Sequence, residues 1–241
     1  MPTGSNFLSV CKNGILDLIF PKKCFCGAYS FDLCPACVSK LCLVDLECPV
    51  CRTKNSDGSA CENCKGKSYV DFLWVLCDYD DKIVKDLICK FKYQYMRDLA
   101  SAFRGLMKDR LDRLCRDLSD AIIVPVPLHK KRLLERGFNQ AEIIAQELMK
   151  VVEVRMFRSL LMRVKYSSPQ AKLNAEERKS HLAGYFRCNL SEASSLDKKT
   201  TIIIIDDVYT TGATMQECAK LLKEQGFENV GGLVLARGEW G

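Results

Sequence analysis

Long hydrophobic runs are missing from this sequence of 241 residues. The longest apolar stretches, Phe72 to Cys77 and Ile202 to Ile205, are far shorter than the ~20 residues that a bilayer-spanning helix needs. The N-terminal stretch has no basic leader and its apolar part is interrupted by Asp17, which does not fit an export signal. We therefore expect no membrane span and a cytoplasmic location. With 48% hydrophobic and 27% charged residues, the composition also excludes disordered and fibrous proteins.

Histidine is scarce, and neither sign of charge is in large excess. The two histidines, His129 and His181, are expected to be surface residues rather than catalysts. The 36 Lys and Arg residues against 30 Asp and Glu residues give a net charge of +6. A charge of this size permits an anionic ligand but does not require one.

Cysteine, in contrast, is abundant: the chain has 15, and ten of them lie in the first 64 residues. Most of these ten form close pairs, three of which are Cys-x-x-Cys turns. In a reducing compartment, paired cysteines bind a metal more often than they form disulfides, and two such turns supply the four thiolates of a structural zinc site. Chain order groups the ligands as Cys24, Cys26, Cys34 and Cys37 for one zinc, and Cys48, Cys51, Cys61 and Cys64 for a second.

Alternatives stay open for these thiols. They are also compatible with buried or redox-active cysteines, and the single residue between Cys24 and Cys26 leaves room for Cys42 or Cys11 as a ligand of the first zinc, or for an empty first site. Because the composition changes near residue 66, we expect an N-terminal helix and a double zinc ribbon in residues 1–66 and a main domain in residues 67–241. Five further cysteines are expected to be small core residues: Cys77, Cys89, Cys115, Cys188 and Cys218.

Strand and helix patterns alternate along the main domain. Apolar residues at helical spacing predict helices over 83–91, 99–114, 138–152 and 213–225, in addition to an amphipathic helix over 6–20. Runs rich in β-branched residues predict strands over 70–79, 121–127, 200–208 and 231–237, and residues 185–200 resemble a strand followed by a polar loop. This alternation, with one fully apolar strand, predicts an α/β fold with a parallel sheet and helices on both of its faces.

The most informative stretch is IIIIDDVYTTGAT, residues 202–214. A buried strand here brings Asp206 and Asp207 to the carboxyl edge of the sheet, where they can accept hydrogen bonds from sugar hydroxyls or bind magnesium. The turn that follows, with Thr210, Thr211, Gly212 and Thr214, offers backbone N–H groups and hydroxyls to a phosphate. The stretch lacks the lysine of a P-loop and the three glycines of a dinucleotide fingerprint, so ATP and NAD fit poorly. The alternative is an acidic strand end with a threonine cap.

These residues resemble a known motif. IIIIDDVYTTGAT is similar to the phosphoribosyl pyrophosphate (PRPP) motif of type I phosphoribosyltransferases. IFPKKC, VPVPLHKKRLLERGFNQA, QAKLNAEERKSHLAGYF and the paired cysteines together resemble the competence protein F family, over essentially the whole chain. The resemblance implies a type I phosphoribosyltransferase-like sheet joined to a small N-terminal zinc-ribbon domain.

The resemblance also implies roles for particular residues. Asp206 and Asp207 would contact the ribose hydroxyls and act in catalysis, and a magnesium ion would accompany the pyrophosphate of PRPP. The loop that would wrap the 5-phosphate comprises Tyr209, Thr210, Thr211, Gly212, Ala213 and Thr214. Cations for the departing pyrophosphate, or alternatively for nucleic acid, would be Lys131, Arg132 and Arg136. Residues 167–182 occupy the place of a mobile loop over the site, with Gln170, Lys172 and Arg178 as candidate contacts.

One position departs from the pattern of the purine-salvage relatives. They place an aspartate two residues before the glycine of the motif to handle the base, whereas this chain has Thr210 there. Transfer to a nucleobase is therefore not supported. The first functional hypothesis is magnesium-dependent transfer of a phosphoribosyl group to an unknown acceptor, in a protein that the resemblance links to DNA uptake in natural transformation.

The second hypothesis is a non-catalytic protein that handles single-stranded DNA or senses PRPP, together with other DNA-uptake proteins. Residues 82–136 hold fourteen Lys and Arg against seven Asp and Glu. Phe91, Tyr93, Tyr95 and Phe103 are interleaved with them, a mixture suited to phosphate contacts and base stacking. Against this reading, most of these aromatic residues also fit a protein core.

Overall fold

The computed structural model describes residues 24, 26–28, 34–93, 97–114, 117–166 and 184–238. The helix predicted over 6–20 and the loop over 167–182, with Gln170, Lys172 and Arg178, lie outside these residues, as do Cys11, Cys115 and His181. By its contacts the chain divides into two compact units, Met1–Leu41 and Cys42–Gly241. The first cysteine group thus lies in the first unit, and the second group lies in the unit that contains the sheet. The domain boundary near residue 66 was predicted from the change in composition, and it stays a prediction.

A five-stranded sheet forms the centre of the second unit. Its strands are β1 (Leu73–Asp78), β2 (Ile122–Pro125), β3 (Arg155–Met156), β6 (Thr201–Tyr209) and β7 (Asn229–Arg237). They are arranged in the order β1-β7-β6-β2-β3, and all neighbours are parallel. A separate antiparallel pair consists of β4 (Leu161–Arg163) and β5 (Phe186–Cys188).

Short helices connect the strands. The first unit contains α1 (Pro35–Val38), and the second contains α2 (Lys82–Tyr93), α3 (Arg104–Leu114), α4 (Lys130–Arg136), α5 (Gln140–Leu148), α6 (Leu190–Ser194) and α7 (Ala213–Glu224). Two 3₁₀ segments occupy Glu62–Cys64 and Arg97–Phe103. The polar loop predicted after β5 contains the short helix α6. This helix has only five residues, too few to show a helical pattern in the sequence. None of the helices in the described part of the chain combines the length and apolar character needed to cross a bilayer.

The central strand β6 is buried on both faces. Each isoleucine from Ile202 to Ile205 is at most 1% exposed, and β6 pairs with β2 on one side and with β7 on the other. The neighbouring strands pair only with the two edges of an interior parallel strand. Its two faces must therefore be covered by other elements. Helices provide that cover, and the predicted α/β class with a phosphoribosyltransferase-like parallel sheet is confirmed.

The predicted core cysteines divide into buried and exposed ones. Cys77 and Cys218 are buried at 1% and 0% exposure, and Cys188 is half-buried. Cys89 is exposed on α2, so its assignment to the core was wrong. The residue follows the fully buried Ile88, and the helix turns it toward solvent although its sequence neighbours are apolar.

Gly231 in β7 provides a test of the core packing. A Cβ atom added there would lie 2.4 Å from a ring carbon of Phe72, which is fully buried. We expect Gly231→Ala to lower the free energy of unfolding by about 1–3 kcal/mol through overpacking. The matched control is Gly105→Ala on α3, where nothing lies within 4 Å and the change should be neutral or stabilising by about 0.5 kcal/mol. Urea unfolding measures the free energy of unfolding of both variants. Equal values for the two variants would contradict close packing of Phe72 against Gly231.

Candidate functional site

The acidic pair lies where the central strand leaves the core. In β6, Ile205 is fully buried, whereas Asp206 is half-buried and Asp207 is 9% exposed. The chain after β2 runs beside them, because the backbone N–H of Val126 donates to the carbonyl of Ile205 at 2.9 Å. In parallel sheets this carboxyl edge is where ligands bind. The acidic pair and the segment that begins α4 are therefore brought together, although they are far apart in sequence.

The turn after β6 depends on one glycine. Gly212 is the N-cap of α7 and adopts a left-handed conformation with φ 73°. A Cβ at this position would lie 2.2 Å from the hydroxyl oxygen of Tyr209, whose ring is 6% exposed. Both the backbone conformation and the lack of space require glycine here. The N–H of Ala213, the first residue of the 12-residue helix α7, donates to the hydroxyl of Thr211 at 3.4 Å, and the N-terminus of such a helix favours an anion.

Three arginines surround the acidic pair in a cavity of about 180 Å³ at this edge. Arg132 and Arg136 come from α4, and Arg163 comes from the end of β4. The other described residues that line the cavity are Val126, Leu128, Asn139, Gln140, Ala141, Asp206, Asp207 and Thr214. Positive charge from two separate elements thus faces two carboxylates and the start of α7, as a polyanionic ligand with sugar hydroxyls would require.

Arg163 was missed by the sequence analysis. Its guanidinium carbon lies 5.3 Å from the ring centroid of the buried Phe186, its partner in the β4–β5 pairing. Burial lowers the pKa of Arg163, and the charge of Asp206 opposes this effect. The sequence around it, LLMRVKY, offers only a basic residue in a short apolar run. The fold alone brings it to the acidic pair.

The basic residues predicted to face the pyrophosphate lie on the helix α4. Arg132 and Arg136 line the cavity, and Arg136 donates to Gln140 at 3.0 Å. Lys131 is exposed, with its ammonium 5.3 Å from the ring centroid of Tyr166, and it is not among the described residues lining the cavity. The ring nitrogen Nδ1 of His129 accepts from the backbone N–H of Lys131 and caps the helix.

Buried Asn139 fixes the connection between α4 and α5. Its amide nitrogen donates to the carbonyl of Val126 at 3.0 Å, and its side-chain oxygen accepts from the N–H of Ala141 at 3.1 Å. Asn139 is 7% exposed, so both hydrogen bonds are shielded from water. They tie the start of α5 to the end of β2, and thereby position Arg136 and Gln140 at the cavity.

The predicted phosphate loop separates two cavities. Thr214 faces the arginine-lined cavity, whereas Tyr209, Thr210, Thr211 and Ala213 line a second cavity of about 470 Å³. The opposite wall of this second cavity includes Pro49 and Val50 of the second cysteine group together with the segment Lys67, Ser68 and Tyr69. Gln216 of α7 accepts from the backbone N–H of Tyr69 at 3.0 Å and donates to Ser68 at 2.7 Å. The turn from Cys48 to Cys51 therefore lines a cavity beside the carboxyl edge of the sheet, and the segment after the second cysteine group is hydrogen-bonded to α7.

The cysteines form the two groups that chain order predicts. The sulfur atoms of Cys24, Cys26, Cys34 and Cys37 all lie within 4.8 Å of one another, and so do those of Cys48, Cys51, Cys61 and Cys64. In these groups the sulfurs of Cys26 and Cys34 are 3.5 Å apart, and those of Cys51 and Cys61 are 3.6 Å apart. A tetrahedral zinc with bonds of about 2.3 Å separates its sulfur ligands by about 3.8 Å. Both groups fit zinc. Cys42 is exposed and stands outside them.

The thiols of the second group differ in acidity. Hydrogen bonds with the side chain and backbone of Thr53 lower the pKa of Cys51 to about 6. The neighbouring Cys61 thiol and burial raise the pKa of Cys64 to about 12. Four sulfurs so close together cannot all be thiolates at neutral pH without a cation between them, and a bound zinc supplies that charge.

Comparison with known proteins agrees with this architecture. Residues 133–239 match the family described as "Phosphoribosyl transferase domain". Competence protein F of Haemophilus influenzae is 31% identical over 182 residues, which cover 73% of this chain and 78% of that protein. Competence protein ComFC of Bacillus subtilis is 29% identical over 202 residues, covering 80% and 79%. DNA utilization protein YhgH of Escherichia coli is 32% identical over 144 residues, covering 58% and 61%.

The fold and the domain match define a protein of the phosphoribosyltransferase-like class that carries two four-cysteine clusters compatible with zinc ribbons. More specifically, the chain belongs to the competence protein F family, as its resemblance to that family predicted.

We expect purified protein to contain about two zinc ions per chain. Cys48→Ser together with Cys64→Ser should reduce the content to one, because these residues are two of the four ligands of the second group. Cys89→Ser, which changes an exposed thiol outside both groups, should leave two. Elemental analysis of the three proteins decides. An unchanged zinc content in the double variant would contradict the predicted ligand set.

Proposed function

We propose that the arginine-lined cavity and the loop over residues 209–214 bind PRPP. The observation that carries this proposal is the position of Arg132, Arg136 and Arg163 opposite Asp206 and Asp207 in one cavity, beside the N-terminus of α7. The pyrophosphate of PRPP requires cations, and its 5-phosphate requires backbone N–H groups. Its ribose requires groups that accept hydrogen bonds from the hydroxyls. These three kinds of group meet here.

Each part of the ligand has its own partners. Asp206 and Asp207 accept hydrogen bonds from the ribose hydroxyls or hold the magnesium that accompanies PRPP, since both tasks need carboxylate oxygens. Magnesium, when bound, neutralises charge on the pyrophosphate. The arginines hold the pyrophosphate, and the backbone from Thr211 to Thr214 holds the 5-phosphate. Gln170, Lys172 and Arg178 stay predicted contacts of the loop over the site.

We further infer a role in DNA uptake. Relatives of this chain are called competence proteins and DNA utilization proteins, which supports such a role. The basic and aromatic segment over residues 82–136 supports direct DNA binding less well, because Phe91 and Phe103 are both 2% exposed and belong to the core. Tyr95 and the side chain of Tyr93 lie outside the described residues. Single-stranded DNA and other DNA-uptake proteins stay predicted partners.

Substitution of the acidic pair tests PRPP binding. Asp206→Asn with Asp207→Asn should weaken magnesium-PRPP binding by at least about tenfold for each lost carboxylate, because hydrogen bonds to charged groups contribute about 1.5–3 kcal/mol each. The control is Glu224→Gln with Glu228→Gln, which removes the same two negative charges at exposed positions at the far end of α7 and just after it. Titration calorimetry measures all three proteins. Equal affinities would refute PRPP binding at this site.

The same experiment separates transfer from sensing. Pyrophosphate release from intact protein with magnesium, PRPP and candidate acceptors would identify a phosphoribosyltransferase. Binding of PRPP without release would favour a protein that senses PRPP, in agreement with Thr210 at the position where purine-salvage relatives have an aspartate.

Arg163 and Gly212 should affect opposite ends of the ligand. Arg163→Met removes a cation for the pyrophosphate, so it should weaken PRPP at least about tenfold but leave ribose 5-phosphate binding nearly unchanged. Gly212→Ala should weaken both ligands, because a Cβ would collide with the Tyr209 hydroxyl below the phosphate loop. Competition binding with the two ligands distinguishes the variants. Parallel losses for both ligands in Arg163→Met would contradict the assigned orientation.

A further inference from the structure

The second cysteine group is connected to the phosphate loop by a continuous path of side chains. Its first turn, Cys48 to Cys51, has Glu47 immediately before it and Arg52 immediately after it. Arg52 Nε donates to Glu47 Oε2 at 3.1 Å, and the backbone N–H of Arg52 donates to the carbonyl of Cys48 at 3.1 Å. Arg52 has φ 63°, a backbone conformation that residues other than glycine rarely adopt. The surrounding turn must therefore stabilise this conformation. The shape of the ligand turn therefore determines where the Glu47 carboxylate lies.

Arg237 carries this path from the cysteine group to the sheet. It ends β7, and its side chain is 15% exposed. Its Nη1 is 3.8 Å from Glu47 Oε2, and its guanidinium carbon lies 5.3 Å from the ring centroid of Tyr209, its register partner on β6. A planar cation held against an aromatic ring on one side and a carboxylate on the other has little freedom to move.

Tyr209 completes the path below the phosphate loop. Its ring is 6% exposed, and it fills the space that a Cβ of Gly212 would need. The backbone at Gly212 therefore lies directly on this ring. One side of the ring faces the cavity of about 470 Å³, but its hydroxyl end lies against the Gly212 backbone, so a displacement of the ring changes the space that the start of α7 can occupy.

We propose that Arg237 is a positioning residue that couples zinc in the second cysteine group to PRPP binding in the phosphate loop. The inference rests on the proposed function. Zinc fixes the turn from Cys48 to Cys51, the turn holds the Glu47 carboxylate, and the carboxylate holds Arg237 on the Tyr209 ring in the position that the phosphate-binding loop requires. Coupling of binding free energies is reciprocal, so PRPP must also tighten zinc binding in this group, and we expect the tighter binding to slow zinc release.

The experiment measures the rate of zinc release to a zinc-selective nitrogen-donor chelator in excess magnesium, with and without PRPP. The intact protein should show two zinc ions, of which one is released about fivefold more slowly when PRPP is bound. A full-length chain with Cys34→Ser and Cys37→Ser holds only the second group, and its single zinc should be the one that is slowed.

Three variants test the path. In Arg237→Met and in Glu47→Gln, the ratio of release rates with and without PRPP should fall to near one. The matched control is Glu62→Gln, which removes an equal charge next to the ligand Cys61 from an exposed pair with Lys65 and should keep the fivefold ratio. A purely structural role of Arg237 would change both release rates by the same factor and leave their ratio intact.

The outcomes distinguish a failure of the proposed PRPP binding from a failure of the proposed coupling. If calorimetry finds no PRPP binding to the intact protein, the proposed function fails before coupling is tested. If PRPP binds and zinc release stays unchanged, or if only the first group is slowed, the coupling is overturned. Should Arg237→Met fail to fold, Glu47→Gln decides alone, because that variant leaves Arg237 and Tyr209 unchanged and removes only the negative charge that holds the guanidinium in place.

Discussion

Burial of β6 on both faces determines where the charged groups of this site can lie. The four isoleucines from Ile202 to Ile205 are each at most 1% exposed, and each contributes about 1.5–3 kcal/mol through burial of its side chain. A carboxylate inside this run would cost far more than it could recover. Asp206 is the first residue after the isoleucine run that is half-buried rather than buried, so the change from apolar to acidic residues coincides with the carboxyl edge of the sheet. Parallel pairing then brings the ends of β2 and β7 to the same edge.

The loop over residues 209–214 lies between two cavities. On one side lies a small cavity with three arginines and two carboxylates, and on the other a larger cavity with one wall from the second cysteine group. Tyr209 and Gly212 form the partition between them. Burial raises the pKa of Tyr209, so its phenol packs below the loop as a neutral group. Because Tyr209 and Gly212 lie between the two cavities, a change in one cavity can affect the other by shifting the positions of these two residues.

The sequence predicted those features that depend on residues close together in the chain. The acidic pair follows the isoleucine run, and the cysteine turns carry their own spacing, so both were recognisable without a structure. Arg163, Arg237 and Asn139 were not, because their positions depend on contacts with residues distant in sequence: Asp206, Tyr209 and Val126. The helix α4 was missed for a different reason. It has seven residues with basic side chains on most of its surface, and its pattern contains no apolar face. The basic residues were predicted at the right place along the chain, but only the fold distinguishes Arg132 and Arg136 from the exposed Lys131.

The segment from Cys42 to Ala60 belongs to the same compact unit as the sheet, and its hydrogen bonds explain why. The buried guanidinium of Arg110 donates to the carbonyl of Val75 at 2.7 Å and also to that of Val44, and the N–H of Val44 donates to Leu76 at 3.0 Å. Trp74 donates from its indole nitrogen to the carbonyl of Asp57 at 3.0 Å. Removal of these partners would leave buried polar groups unsatisfied, each at a cost of about 1–3 kcal/mol. The second cysteine group is consequently held in place by the edge strand β1, so a metal bound there would stabilise one wall of the cavity beside the loop over residues 209–214 as well as its own turns.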